Sequence, residues 1–263
     1  MQTHQPSARE PLYNKVPEVT LYFWTIKILA TTVGETAADF LNVNLGLGLS
    51  GTSLFMSILL IASLIAQVRK DRYVPGIYWL SVVLISVVGT LITDNLVDNL
   101  GVSLETTTVT FSIALAAVFA IWYAFEKTLS IHTVYTLRRE LFYWAAILFT
   151  FALGTAAGDL VAESLGLGYA ASGAIFASLI ALTAAAHFKL RMNGILAFWV
   201  AYILTRPLGA SVGDLLSQPV ADGGLALGTV VTSGLFLSII LALVLYLARS
   251  RSDLERVDTV SID

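Results

Sequence analysis

Residues 24–41 read WTIKILATTVGETAADFL, and the reading of this stretch decides the fold. Most of it suits hydrocarbon, yet it carries Lys27, Glu35 and Asp39. Charged side chains are rare within membrane spans, and those present face a bundle interior or a water-filled cavity. Residues four apart share a helix face, so Lys27, Thr31, Glu35 and Asp39 form one stripe. A helix with such a stripe needs partners to cover it.

The whole chain supplies them. Of its 263 residues 57% are hydrophobic and 13% charged, where soluble domains carry about 25% charged residues. With a mean hydropathy of +0.80, this is an all-α polytopic membrane protein whose first partner is the lipid bilayer. Eight apolar runs are long enough to cross about 30 Å of hydrocarbon: 21–41, 50–68, 76–96, 105–125, 141–161, 170–188, 195–216 and 226–248. The connections after the second, fourth and sixth runs are basic, as is RSRSDLER after the eighth. Of 15 basic residues, Lys27 and Arg206 stand inside spans and all the others fall on one side. The positive-inside rule then predicts that both termini are cytoplasmic, with the spans in a cell's inner membrane. Residues 1–20 are polar and lack the apolar core of a signal peptide, so they are expected to stay as a cytoplasmic tail, matched by a second tail at 249–263.

Cysteine is absent, which removes disulfides, thiolate metal sites and cysteine nucleophiles. No nucleophile–base motif is present, so no enzyme and no cofactor are expected, and nothing points to nucleic acid. His4, His132 and His187 fall in a tail, a loop and a span end, where solvated or interfacial roles are expected.

The opening stretch recurs. Trp24, Trp79, Trp144 and Trp199 each stand ten residues before Gly34, Gly89, Gly154 and Gly209, and five residues after each glycine comes Asp39, Asp94, Asp159 or Asp214. The matching segments are GETAADFL, GTLITDNL, GTAAGDLV and GASVGDLL. A two-span unit has therefore been duplicated twice, giving a first half at 21–125 and a second at 141–248, joined by a cytoplasmic linker at 126–140. The second span of each unit carries its own echo in Ser57, Ser112, Ser178 and Ser238. The tryptophans are expected to anchor the inner interface, and the glycines to let helices approach closely. Units with an even number of spans share one orientation, which places a pseudo-symmetry axis along the membrane normal.

This pattern resembles a family of bacterial membrane proteins built from four tandem copies of a two-helix "repeat of unknown function" with one tryptophan per repeat. The resemblance covers residues 20 to 248 and implies the fold, but no activity.

Function has to come from the stripes. Those matching Lys27–Thr31–Glu35–Asp39 are Val82–Ser86–Thr90–Asp94, Ile147–Phe151–Thr155–Asp159 and Tyr202–Arg206–Ala210–Asp214. At 1.5 Å per residue Asp39 lies about 22 Å beyond Trp24, so the four aspartates reach a similar depth in the outer third of the bilayer. Glu35 and the aspartates outnumber Lys27 and Arg206. Such an excess in a low-dielectric site calls for coupled protonation or a bound cation, and oxygen-only ligands suit hard ions. The leading expectation is a proton-coupled transporter or exporter of an inorganic cation, with a divalent metal on Asp39, Asp94, Asp159 and Asp214. Glu35 would join them, Lys27 and Arg206 would set the field, and Ser57, Ser112, Ser178 and Ser238 would add hydroxyls. An anion or organic-acid carrier using Lys27 and Arg206 is one rival. A non-transporting scaffold or sensor, whose repeats simply pack and whose polar stripes tie the helices together, is another. A separate reading of the aspartates is that they cap or bridge helix ends. Pro207, beside Arg206, marks an expected kink and candidate hinge.

Overall fold

The computed structural model describes residues 13–44 and 47–253; most of both expected tails, His4 included, lies outside them. Eight long helices follow: α1 (Leu21–Asp39), α2 (Gly48–Val68), α3 (Pro75–Asp94), α4 (Leu104–Glu126), α5 (Leu137–Asp159), α6 (Tyr169–Leu190), α7 (Gly194–Ser217) and α8 (Thr229–Ser250). Local chemistry sets several starts. The side chains of Thr20, Ser103, Thr136 and Asn193 accept from first-turn amides of α1, α4, α5 and α7, while Pro75 opens α3 where its missing N–H costs nothing. All except α1 are long and apolar enough to cross a membrane. The exception follows from its own sequence, because Lys27, Glu35 and Asp39 lower its hydropathy.

The odd-numbered helices form the core. α1 packs on α3, α3 on α5, α5 on α7, and α7 returns to α1, closing a ring of four. The even-numbered helices lie outside it, and each packs on the central helix of the following unit: α2 on α3, α4 on α5, α6 on α7 and α8 on α1. Each unit is therefore bound to the next by its outer helix as well as its inner one.

One contact repeats around the ring. A Cβ on Gly34 would lie 1.8 Å from Ser86 Oγ, on Gly89 2.6 Å from Phe151 Cβ, on Gly154 2.2 Å from Arg206 Cγ, and on Gly209 1.9 Å from Thr31 Oγ1. Ser86, Phe151, Arg206 and Thr31 are themselves equivalent positions, three residues before the glycine of their own units. The glycines thus act as sockets for the next helix, including the one that closes the ring.

At the end bearing the basic loops the core is aromatic. Trp79, Trp144 and Trp199 are buried and Trp24 partly so. Their rings pack edge-on or tilted among Phe23, Tyr78, Tyr143 and Phe198, and the Tyr78 and Tyr143 hydroxyls hydrogen-bond each other. The expectation of interfacial anchors is corrected for Trp79, Trp144 and Trp199, which are buried in protein, while Trp24 stays partly exposed. Chain from outside the bundle seals the same end. Lys15, almost buried, donates to Glu140 Oε2 at 2.7 Å and to the Val68 carbonyl at 3.0 Å, and Gln67 donates to Glu140 Oε1 at 3.2 Å.

Alanine at any of Gly34, Gly89, Gly154 or Gly209 should lower the thermal unfolding temperature of the detergent-solubilised protein, overpacking costing about 1–3 kcal/mol. Gly234→Ala in α8, where no atom lies within 4 Å of the added carbon, should leave it unchanged or raise it.

Candidate functional site

The ring brings the four stripes together on its axis. Lys27, Val82, Ile147 and Tyr202 form one fully buried layer, and Thr31, Ser86, Phe151 and Arg206 the next. Glu35, Thr90, Thr155 and Ala210 form the third, also buried. The fourth layer is the aspartates, of which Asp214 is buried and the others partly so.

Arg206 governs the middle of this stack. Its Nη1 donates to the Thr31 carbonyl at 3.0 Å, and its Nη2 to Glu35 Oε2 at 2.9 Å, to Thr155 Oγ1 at 2.6 Å and to Thr90 Oγ1. One fully buried guanidinium therefore ties α7 to α1, α3 and α5. Charge-assisted bonds of this kind are the strong ones, and burial holds them in a low dielectric. α7 runs unbroken through the expected hinge at Pro207, which is buried and faces Gly154 and Gly158.

Lys27 is different. It is fully buried, yet its Nζ has no hydrogen-bond partner among the described residues. The ammonium sits 4.3 Å from the centre of the Phe151 ring and 4.2 Å from that of Tyr202. Two aromatic faces are a favourable place for a cation when no acceptor is at hand.

Beyond Arg206 the axis opens into a cavity of about 160 Å³. Glu35 forms part of its wall with all four repeat aspartates, Asp39, Asp94, Asp159 and Asp214. Asp98 and Glu163 add two further carboxylates, both exposed at the rim. Asn42, Thr93 and Gln218 contribute neutral polar groups, and Gln218 Nε2 donates to Asp39 Oδ2 at 3.3 Å. Among the described residues no lysine or arginine lines it.

Helix geometry explains the gathering. α1, α3 and α5 each end at their aspartate and continue as one wide turn, at Phe40–Asn44, Asn95–Asn99 and Leu160–Ser164. In this turn hydrogen bonds run five residues back, as from the Leu100 and Leu165 amides to the Asn95 and Leu160 carbonyls. Such π-turns occur mostly as single turns and often at functional sites. Asp98 and Glu163 stand four residues past Asp94 and Asp159, and Gln218 four past Asp214, so the stripe runs one step further than its ring of aspartates. That signal was in the sequence.

Three expectations change. The helix-capping role for the aspartates has no support, since the side chains of Asp94, Asp159 and Asp214 accept no backbone amide among the described residues. The four aspartates line one cavity without converging on a metal: among the described residues no three carboxylate or histidine side chains are placed to hold one ion. Ser57, Ser112, Ser178 and Ser238 stay out of the site altogether. The last three are exposed and donate to the carbonyl four residues back in their own helices, and Ser57 is only half-buried. The inward positions of the outer helices are Thr52, Thr107, Ser172 and Thr232, all buried. These precede the serines by five or six residues, a rotation of about 120–140° to the other face at 3.6 residues per turn. Ser172 bonds Ser211 on α7 at 2.8 Å, and on the same side Ser233 bonds Thr36 on α1 at 2.7 Å.

Against known families, the model described as a repeat of unknown function (DUF347) matches the chain four times, at residues 22–73, 77–128, 142–193 and 197–253. Neither a curated protein nor a solved structure matches.

Glu35→Gln should lower stability by about 3–5 kcal/mol, the cost of leaving a buried charge unpaired, and Glu35→Gln with Arg206→Met should recover much of it. Lys27→Met should raise the unfolding temperature, since it removes a buried cation that has no acceptor. Thermal unfolding in detergent checks all three variants.

Proposed function

Because the chain belongs to the family of the repeat of unknown function (DUF347), whose description assigns no activity, we propose from the site alone that it carries a small cation across a membrane, coupled to protons. All eight helices span the bilayer, α1 shielded by the ring from lipid, and the four units turn about an axis along the membrane normal. The basic loops and both termini face the cytoplasm of a bacterial cell, so the acidic cavity opens on the outer side.

The observation that carries this reading is the cavity lining. Among the described residues, seven carboxylates and no lysine or arginine surround about 160 Å³, a volume suited to an ion with some of its water. A field of one sign in a narrow cleft concentrates ions of the opposite sign. A cation entering among carboxylates gathered in one cavity would displace protons from the group as a whole. Because no three carboxylates among the described residues are placed to chelate one ion, the cation is held through water or by one or two carboxylates at a time. That favours a weakly held substrate over a tightly bound metal.

The anion reading finds less support. Arg206 is committed to Thr31, Glu35, Thr90 and Thr155, and neither it nor Lys27 lines the cavity. The scaffold reading draws on the same Arg206 bonds, which tie the central helices together. Flux separates the three. In proteoliposomes, a panel of alkali, alkaline-earth and manganese ions should include at least one whose uptake depends on a pH gradient. The double variant Asp94→Asn, Asp159→Asn should cut that uptake at least about tenfold, the worth of one lost charge-assisted contact, while remaining folded. Unchanged uptake in a folded variant would overturn the carrier, and absence of any cation flux in the unaltered protein would favour the scaffold.

A further inference from the structure

A second cavity, of about 180 Å³, lies at the opposite end of the molecule, among the basic loops. It sits between the start of α3 and the last turn of α8. Val74, Pro75 and Leu247 give it apolar walls, and Arg72 and Arg251, both exposed, stand at its edge. Neither guanidinium forms an ion pair among the described residues. The first-turn amides of α3 have no acceptor within the helix, and a helix N-terminus flanked by arginines is a place for phosphate.

Asp253 supplies the second, independent observation. It lines the cavity and is only 2% exposed. Its Oδ2 accepts from Tyr73 Oη at 2.6 Å, and its backbone carbonyl accepts from the Glu18 amide. Burial and the adjacent carboxylate push the Tyr73 phenol up from its ordinary value, so it remains a donor to Oδ2. Oδ1 is buried without any partner among the described residues. A buried carboxylate oxygen in that position calls for a donor, preferably a cationic one.

We propose that this cavity holds the phosphoethanolamine headgroup of a phospholipid. Arg72 and Arg251 take the phosphate, Asp253 Oδ1 takes the ammonium, and the apolar walls take the start of the acyl chains. The signs match: two cations stand around an anion, and one anion faces a cation. The site lies at the level of the basic loops, which on the membrane orientation proposed above is where inner-leaflet headgroups lie. A phosphatidylcholine headgroup brings the phosphate but no N–H, and phosphatidylglycerol brings only hydroxyls. The site does not involve the acidic cavity, so it stands or falls apart from cation transport.

Native mass spectrometry of the full chain, with three lipids of identical acyl chains, tests this. Phosphatidylethanolamine should be retained over phosphatidylcholine by about tenfold, the worth of one charge-assisted hydrogen bond, with phosphatidylglycerol between them. Arg72→Ala with Arg251→Ala should abolish retention of all three. Asp253→Asn should erase the preference while leaving phosphate-dependent retention, and Tyr73→Phe, which breaks the same tyrosine–aspartate bond but keeps the carboxylate, should preserve it. Equal retention of phosphatidylethanolamine and phosphatidylcholine, or a preference that survives Asp253→Asn, would overturn the proposal. So would displacement of the lipid by soluble phosphoethanolamine at equal concentration, which would assign the site to a free ligand. Inorganic phosphate should compete only weakly.

Discussion

The buried guanidinium of Arg206 is the constraint around which the bundle is arranged. In a low-dielectric interior a charge without partners costs several kcal/mol even after relaxation, so the surroundings must answer it. They do so at Nη1 and Nη2 from three other helices, through Glu35 and the Thr31 carbonyl on α1, Thr90 on α3 and Thr155 on α5, while Nε has no partner among the described residues. The side chain can reach all three only because the helices come close, and the closeness depends on small residues at the crossings. Gly154 leaves room for the Arg206 stem itself. The same socket occurs at Gly34, Gly89 and Gly209, where it receives Ser86, Phe151 and Thr31. One glycine per unit therefore sets the width of the ring, and the ring width sets whether Arg206 can be satisfied.

Closure follows from the way the units lock together. Because each outer helix covers the next unit's central helix, an isolated unit would leave its central stripe bare and its outer helix without a seat. Four units complete the circuit, with α8 and α7 both meeting α1. This explains why the most polar helix can also be the first. α1 is contacted by α3, α7 and α8, so Lys27 and Glu35 face protein and not lipid.

Much of this was legible in the sequence because it was repeated four times. The stripes at four-residue spacing identified the inward face of each first helix, and all sixteen of their residues prove to be buried or half-buried on the axis. The second helices misled for a physical reason. Their inward faces are narrow and most of their surface is apolar in every direction, so a repeated serine carried no information about which way it pointed. Thr52, Thr107, Ser172 and Thr232 were equally visible but break the strict spacing, since Ser172 and Thr232 are one position out of step relative to the serines. The tryptophans misled because amphipathic rings near a span end suit both an interface and a packed core. Only the ring arrangement decides between them. The rim carboxylates Asp98 and Glu163 continue the stripes at the same spacing, but they lie beyond the apolar runs, where a span would be taken to have ended. The wide turn carries the face onward past that point.

The divergence of the four units is as informative as their likeness. All four keep the aspartate that lines the cavity, whereas the layers beneath have parted: lysine, valine, isoleucine and tyrosine in one, threonine, serine, phenylalanine and arginine in the next. A passage running straight along the axis would need those layers to remain small or polar. Instead Phe151 and Arg206 fill one, Tyr202 and the Lys27 chain fill the other, and the aromatic core lies below them. For the proposed cation this means the cavity floor is a closed gate and not a pore constriction. A cation entering from the acidic side meets Glu35 already paired with Arg206, and two positive charges stand in the layers beyond. To pass, it would have to take Glu35 from Arg206, which removes the guanidinium's one charged partner and leaves it only the Thr31 carbonyl on α1. The bond that holds the ring together is thus also the bond that transport would have to exchange. Such coupling between ion entry and helix packing belongs to a carrier that changes shape.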